Sequence, residues 1–229
     1  MVNNTTIFSD VFNAWEQWNI TEFAEQRECV LSLQRNMNEV NGTLASVMAY
    51  HIQQANVLLG APHLMPGPTG ETNELYAAGR GVVLTIVESE DAQASIAAIA
   101  QITAALIAGN GVIVSSNNTT FNQLLVSAVE RSQLPSQLVH IVPLEEANAF
   151  IDLDVRVVGL VGSEDTLWQV NHQLASRTSA IGLLVSETDL TSMPTSHDPN
   201  LVLKFITERT RTINITAVGG NATLLELGS

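Results

Sequence analysis

The sequence predicts an α/β fold: a parallel sheet of about five strands with flanking helices, a long N-terminal helix before it and a C-terminal β hairpin after it. Three observations lead there. An apolar stripe at helical spacing occupies residues 21–59, β-branched runs alternate with helical patterns over residues 81–185, and two β-rich segments flank Gly219-Gly220-Asn221.

In the first stretch Phe23, Val30, Leu33, Met37, Val40, Leu44, Val47, Ile52, Ala55 and Leu58 recur at steps of mostly three or four, which places them on one face of a single long helix. Thr21 is positioned to cap it, and Gly42 is its weak point. So long a stripe needs a large partner surface, so residues 1–61 are expected to pack as a helical segment on the domain that follows. Pro62, Pro66, Gly67, Pro68 and Gly70 then crowd a short stretch, and residues 62–80 are expected to be a connector that begins without regular structure.

Residues 81–87 read as a buried strand and 91–108 as an alanine-rich helix stopped by Gly109-Asn110-Gly111. A second strand at 112–115, a helix begun by Asn118 or Thr119 and running through Arg131, and a third strand at 138–142 repeat the unit. A short helix at 144–150, a strand at 155–161, a helix capped by Ser163 and a fifth strand at 181–185 complete a Rossmann-like domain over 81–209. Residues 201–209 are expected to return to helix, and 210–229 to form the hairpin.

Composition removes several function classes. Acidic residues outnumber basic ones 23 to 9, for a net charge of −14, which repels nucleic acid and anionic membrane surfaces. The longest apolar run, near residues 96–108, is broken by Gln101 and Thr103 and is too short to span a bilayer. Cys29 is the single cysteine, so internal disulfides and CxxC motifs are excluded, which fits a reducing compartment; the cytoplasm is expected. The start Met1-Val2-Asn3-Asn4 reads as no secretory leader, so sequons such as Asn41-Gly42-Thr43 carry no weight.

A Rossmann-like sheet invites a nucleotide, and the turn after its first strand is decisive. It reads Val87-Glu88-Ser89-Glu90-Asp91, with three carboxylates and no glycine, and would repel a diphosphate. Val161-Gly162-Ser163-Glu164 is the one turn small enough to admit a dinucleotide, making Gly162 and Ser163 the only cofactor-binding candidates; a tight turn with a helix cap is the plainer reading. His51, His63, His140, His172 and His197 show no metal-binding spacing, and Ser115, Ser116 and Ser186 lack a nucleophile elbow. Cys29 lies inside a helix without a cation to stabilise a thiolate and reads as packing. No catalytic residue and no metal site are expected.

Two segments carry a family resemblance: Leu64-Met65-Pro66-Gly67-Pro68-Thr69-Gly70-Glu71-Thr72-Asn73, and residues 208–224, which include Glu208-Arg209-Thr210-Arg211 and Ala217-Val218-Gly219-Gly220-Asn221. They resemble the PGPTGE-N segment and the terminal motif of the proline utilization A family, and Gly79-Arg80-Gly81 and Ala108-Gly109-Asn110 agree in order. The resemblance covers roughly residues 20–229. It implies an aldehyde-dehydrogenase-like cofactor domain at the end of a polypeptide with proline dehydrogenase and glutamate semialdehyde dehydrogenase activities, using FAD and NAD, while this chain itself holds no cofactor.

Against true aldehyde dehydrogenases, Val114-Ser115-Ser116-Asn117 stands where a ribose-binding lysine is expected, and Val185-Ser186-Glu187-Thr188 replaces a glutamate-glycine-glycine segment. The resemblance therefore implies a non-catalytic role: the domain covers the catalytic aldehyde dehydrogenase domain of the same polypeptide and helps close the passage for its intermediate. Arg209, Thr210, Asn214, Thr216, Gly219, Gly220, Asn221 and Leu224 are the expected interface, braced by Pro66, Gly67, Pro68, Thr69, Gly70, Glu71 and Asn73 of the connector. Two alternatives stand beside it: a residual NAD-binding domain, and an oligomerisation module whose hairpin joins copies of the chain.

Overall fold

The structure, a computed structural model describing residues 3–67 and 70–214, begins with three helices, α1 (Asn4–Trp18), α2 (Phe23–Val40) and α3 (Gly42–Leu59). The long apolar stripe is thus divided at Asn41, whose backbone is extended at φ −154° and ψ 97°. Its side chain accepts from Leu44 N at 3.1 Å and caps α3, while its own N–H donates to Met37 O and closes α2. One non-helical residue barely disturbs the apolar spacing, so periodicity does not reveal the break. Thr21 does not cap α2 either. Its hydroxyl donates back to Gln17 O at 3.1 Å, and the helix starts after Glu22. Helix α1 is anchored by the buried Ile7, Val11 and Trp18.

Within the stretch that reads as an irregular connector, the chain forms β1 (His63–Met65) and β2 (Glu71–Gly79), paired antiparallel. The alternation then runs close to expectation. It comprises β3 (Val82–Val87), α4 (Ala92–Ile107), β4 (Gly111–Ser116), α5 (Thr119–Glu130) and β5 (Val139–Val142). A 3-10 turn at Leu144–Glu146 leads into α6 (Ala147–Ile151), followed by β6 (Val155–Val161), α7 (Glu164–Ser176) and β7 (Leu183–Glu187). The five strands are parallel in the order β5-β4-β3-β6-β7.

Both faces of the sheet are covered, and the strands alternate between them. On β3, Val83 and Val87 pack toward α2, α3, α4 and α5, while Val82, Leu84 and Ile86 pack toward α1, α6 and α7. Twelve of the sixteen residues of α4 are buried, so it is a central helix held between the sheet and the α2–α3 layer; its alanines let all three approach closely.

Residues 201–209, expected as helix, divide into a 3-10 turn at Leu201–Phe205 and the strand β8 (Ile206–Asn214). Leu201, Val202 and Phe205 bury the turn, after which threonine, isoleucine and arginine alternate in a pattern suited to extended chain. Strand β8 pairs antiparallel with β2 along nine residue pairs, from Gly79 with Ile206 to Glu71 with Asn214, giving a ribbon ordered β1-β2-β8. The rest of the expected terminal hairpin, residues 215–229, lies outside the described residues.

Asn110 fastens this ribbon to the sheet. Fully buried, it accepts from Arg80 N (2.7 Å) and Gly81 N (3.1 Å) and donates to Ala105 O (2.9 Å) and Phe205 O (3.0 Å). One amide thereby joins the end of β2, the last turn of α4 and the root of β8. Beside it a Cβ on Gly79 would overlap the carbonyl of Gly109, which itself has φ +89°. Asn110→Ala strands several buried backbone groups, and a loss of about 2–4 kcal/mol is expected. Thermal unfolding should show a midpoint lower by roughly 5–12 °C, and an unchanged midpoint would contradict this account.

Candidate functional site

In an open parallel sheet, ligands bind outside the carboxyl ends of the strands where the strand order reverses. Here that point lies between β3 and β6, whose exits are Glu88 and Gly162-Ser163. The structure thus brings the two candidate turns side by side. Asp91 caps α4 by accepting from Ala94 N at 2.7 Å; that bond, with a second from the Ser89 hydroxyl, holds its carboxyl below the usual range. Ser163 caps α7 by accepting from Thr166 N at 3.2 Å.

The side chain of Glu88 crosses the switch point. Its Oε2 accepts from Ser163 N at 2.7 Å, and its Oε1 accepts a short bond from the Thr166 hydroxyl. Glu88 N donates to Val161 O at 3.0 Å. A Cβ on Gly162 would overlap the Glu88 carboxylate, so this glycine makes room for a side chain of the protein itself.

The other strand exits are stitched in the same manner. Ser115 Oγ donates to Pro143 O at 3.0 Å, and Asn118 accepts from Phe121 N at 3.0 Å while donating to Glu90 O at 2.9 Å. At the end of β7 the buried Glu187 accepts from Ser196 N (2.8 Å) and Ser196 Oγ (3.1 Å), folding residues 188–196 back over the strand. His51 of α3 closes the same segment. Its Nε2 lies 3.0 Å from Ser196 O and must be protonated to donate to a carbonyl.

The residues present do not fit a dinucleotide. A diphosphate at the α7 terminus would meet the Glu88 carboxylate, and β4 ends in Ser115-Ser116-Asn117 without a lysine to hold a ribose. Cys29 is half-buried, and burial first, then Glu25 and Glu28, pushes its thiol upward, away from the thiolate. Among the described residues, no group of three or more His, Cys, Asp or Glu side chains is arranged to hold a metal ion. No helix among them is long and apolar enough to cross a membrane.

The ribbon is the second candidate. Its register sets the connector residues against β8: Glu71 faces Asn214, Asn73 faces Thr212, Leu75 faces Thr210 and Tyr76 faces Arg209. Thr212 Oγ1 donates to Asn73 Oδ1 at 2.7 Å, and Asn73 Nδ2 donates to Pro66 O at 3.4 Å. Arg211 donates to Glu74 Oε2 from Nε (3.0 Å) and Nη2 (2.5 Å) and lies 5.6 Å from the centre of the Tyr76 ring. That pairing raises its already high pKa.

A groove of about 630 Å³ runs between the ribbon's base and the helices, lined by Phe23, Leu58, Tyr76, Leu203, Arg209 and Arg211. Pro66, Gly67, Gly70, Glu71 and Asn73 are therefore joined to Arg209, Thr210 and Asn214 in one structure. Pro68, Thr69, Thr216, Gly219, Gly220, Asn221 and Leu224 lie outside the described residues. The residues that sequence reasoning missed are Asn110, legible only as a helix stop, and the pairing of Glu88 with Ser163 and Thr166, which no local signal announces.

The sequence profile of the aldehyde dehydrogenase family matches residues 24–187. The chain is 27% identical over 173 residues to the bifunctional protein PutA of Salmonella typhimurium, covering 74% of this chain and 11% of that protein. The PutA of Escherichia coli is 28% identical over the same length, so the chain spans about a tenth of the length of these curated relatives. Among solved structures, Bradyrhizobium japonicum proline utilization A superposes with a TM-score of 0.69 at 23% identity, covering 83% of this chain and 23% of that one. Staphylococcus aureus AldH, in a substrate-bound state, gives 0.66 at 13% identity, covering 82% of this chain and 46% of that one.

His51 carries a pH prediction for the closing segment. Burial, opposed by the bond to Ser196 and by Asp198, holds its pKa below the ordinary 6.5. Below pH 6.5 the unfolded chain takes up a proton that the folded chain refuses, so stability present above that pH is lost as pH falls through it. His51→Gln, which keeps a donor for Ser196 O, is expected to flatten this acid limb. Urea unfolding from pH 7.5 to 5 reads it; the limb should shrink without vanishing, because burial also depresses His140.

Proposed function

The chain belongs to the aldehyde dehydrogenase family, and on that premise we propose that it is a non-catalytic structural domain of a proline-catabolic flavoenzyme that converts proline to glutamate. In this reading it covers the aldehyde dehydrogenase module of the same polypeptide and helps close the passage through which the intermediate travels. FAD and NAD serve the catalytic modules, and the whole polypeptide resides in the cytoplasm.

One observation carries the reading. The described parts of the two segments that resemble proline utilization A meet in a single ribbon, although 137 positions separate Glu74 from Arg211. The likeness to PutA supports the context, and the poor fit of the strand exits to a dinucleotide turns attention from the sheet to the ribbon. Among the described residues β8 is an edge of its sheet, and it is exposed from Glu208 to Ile213, so it can add to another sheet while Arg209 and Thr210 approach the partner. The same edge supports a second reading, in which the ribbon joins copies of the chain. Light scattering on the isolated chain separates the two, a stable dimer favouring the second.

The main test needs the complete polypeptide. Deleting residues 212–229 is expected to leave proline oxidation intact and to impair coupled turnover, seen as a lag in NADH formation and release of semialdehyde to an external trap. Unchanged coupling would overturn the proposal. Titration of the isolated chain with NAD addresses the residual-cofactor alternative, which micromolar binding would restore.

A further inference from the structure

We propose that Glu88 is a tethered anion that occupies the N-terminus of α7 in place of a ligand phosphate and seals the switch-point crevice from within the chain. Helix N-termini present unpaired N–H groups and a positive dipole end, which suit an anion. At α7, Ser163 N is engaged by Glu88 Oε2 at 2.7 Å and Thr166 N by Ser163 Oγ at 3.2 Å, and the Thr166 hydroxyl of the first turn donates to Glu88 Oε1. The carboxylate reaches this place because Gly162 has no Cβ to obstruct it.

Two further features distinguish this arrangement from an incidental surface bond. The Glu88 main chain is fixed to the same strand exit, donating to Val161 O at 3.0 Å, so backbone and side chain together brace β3 against β6. The helix on the other side of the switch point carries its own carboxylate as well, Asp91 accepting from Ala94 N at 2.7 Å. Both helix termini that would converge on a diphosphate thus hold internal anions. An incoming dinucleotide would have to displace one and tolerate the other. A turn that reads in sequence as the sole opening for a cofactor is, in the fold, a receptor for the chain's own side chain.

The inference does not depend on what the domain covers, and its test uses the 229-residue chain alone, so its failure would leave the covering role standing. Glu88→Ala should lower the thermal midpoint by about 3–6 °C relative to the neighbouring control Glu90→Ala. Inorganic pyrophosphate, at ionic strength matched with chloride, should restore part of that loss in Glu88→Ala and shift neither the natural chain nor the control. Amide exchange at Ser163 should accelerate about tenfold in Glu88→Ala as its hydrogen bond is lost. Should that variant not fold, Glu88→Gln, which keeps the shape and loses the charge, should show faster Ser163 exchange and the same selective pyrophosphate response at smaller amplitude. Equal midpoints for Glu88→Ala and Glu90→Ala, unchanged Ser163 exchange, or a pyrophosphate shift common to all chains would each overturn the proposal.

Discussion

The hydrogen bonds of a single buried amide decide how the two sheets of this molecule are joined. Asn110 uses both of its donors and accepts twice, on partners drawn from three elements: the Arg80-Gly81 link, the end of α4 and Phe205. An asparagine can do this because it carries donors and an acceptor on one short, rigid group that fits where backbones crowd. The consequence is directional. Both roots of the ribbon are held at the amino-terminal edge of the parallel strands, so it projects away from the carboxyl edge where Glu88, Asn118 and Glu187 stitch the loops.

The carboxyl edge retains the topology of a ligand site while its chemistry has turned inward. The exits of β4 and β7 carry side chains that satisfy neighbouring backbone groups: Ser115 on Pro143, Asn118 on Glu90 and Phe121, Glu187 on Ser196. Such contacts stabilise by local satisfaction of polar groups. A sheet edge built this way braces its own loops. Family membership therefore describes the fold of this chain more directly than its chemistry.

The parallel sheet was legible in the sequence because its signals are local. Val82 to Val87, Val155 to Val161 and the alanine run of α4 carry strand or helix character within a few residues, and Asp91, Asn118 and Ser163 mark the helix starts. What escaped is non-local or shorter than a period. The ribbon depends on a partner more than a hundred positions away, so its prolines and glycines looked like a linker, although Pro62 and Pro66 only flank β1. The break at Asn41 costs one residue of helix, too little to disturb a stripe. The three carboxylates after β3 are visible in the sequence, yet the partners of Glu88 lie at Ser163 and Thr166 on another turn.

The ribbon's own energetics suit it to the contact proposed for it. Among the described residues the ribbon has three strands, a number that is marginal unless one face is buried, and β8 is exposed from Glu208 to Asn214. Its support is therefore concentrated at the root, where Ile206 and Phe205 are buried, and in cross-strand pairs such as Arg211 with Glu74 and Thr212 with Asn73. In the first of these the Glu74 carboxylate is largely covered and the Arg211 guanidinium half-exposed, so solvent screens part of the pair and a partner laid over it would strengthen it. Lateral pairing along β8 would supply backbone hydrogen bonds, and cover over the groove at its base would bury Leu203 and the faces of Tyr76 and Phe23. A braced sheet fixes where such a strand points, and the exposed strand has most to gain from a partner.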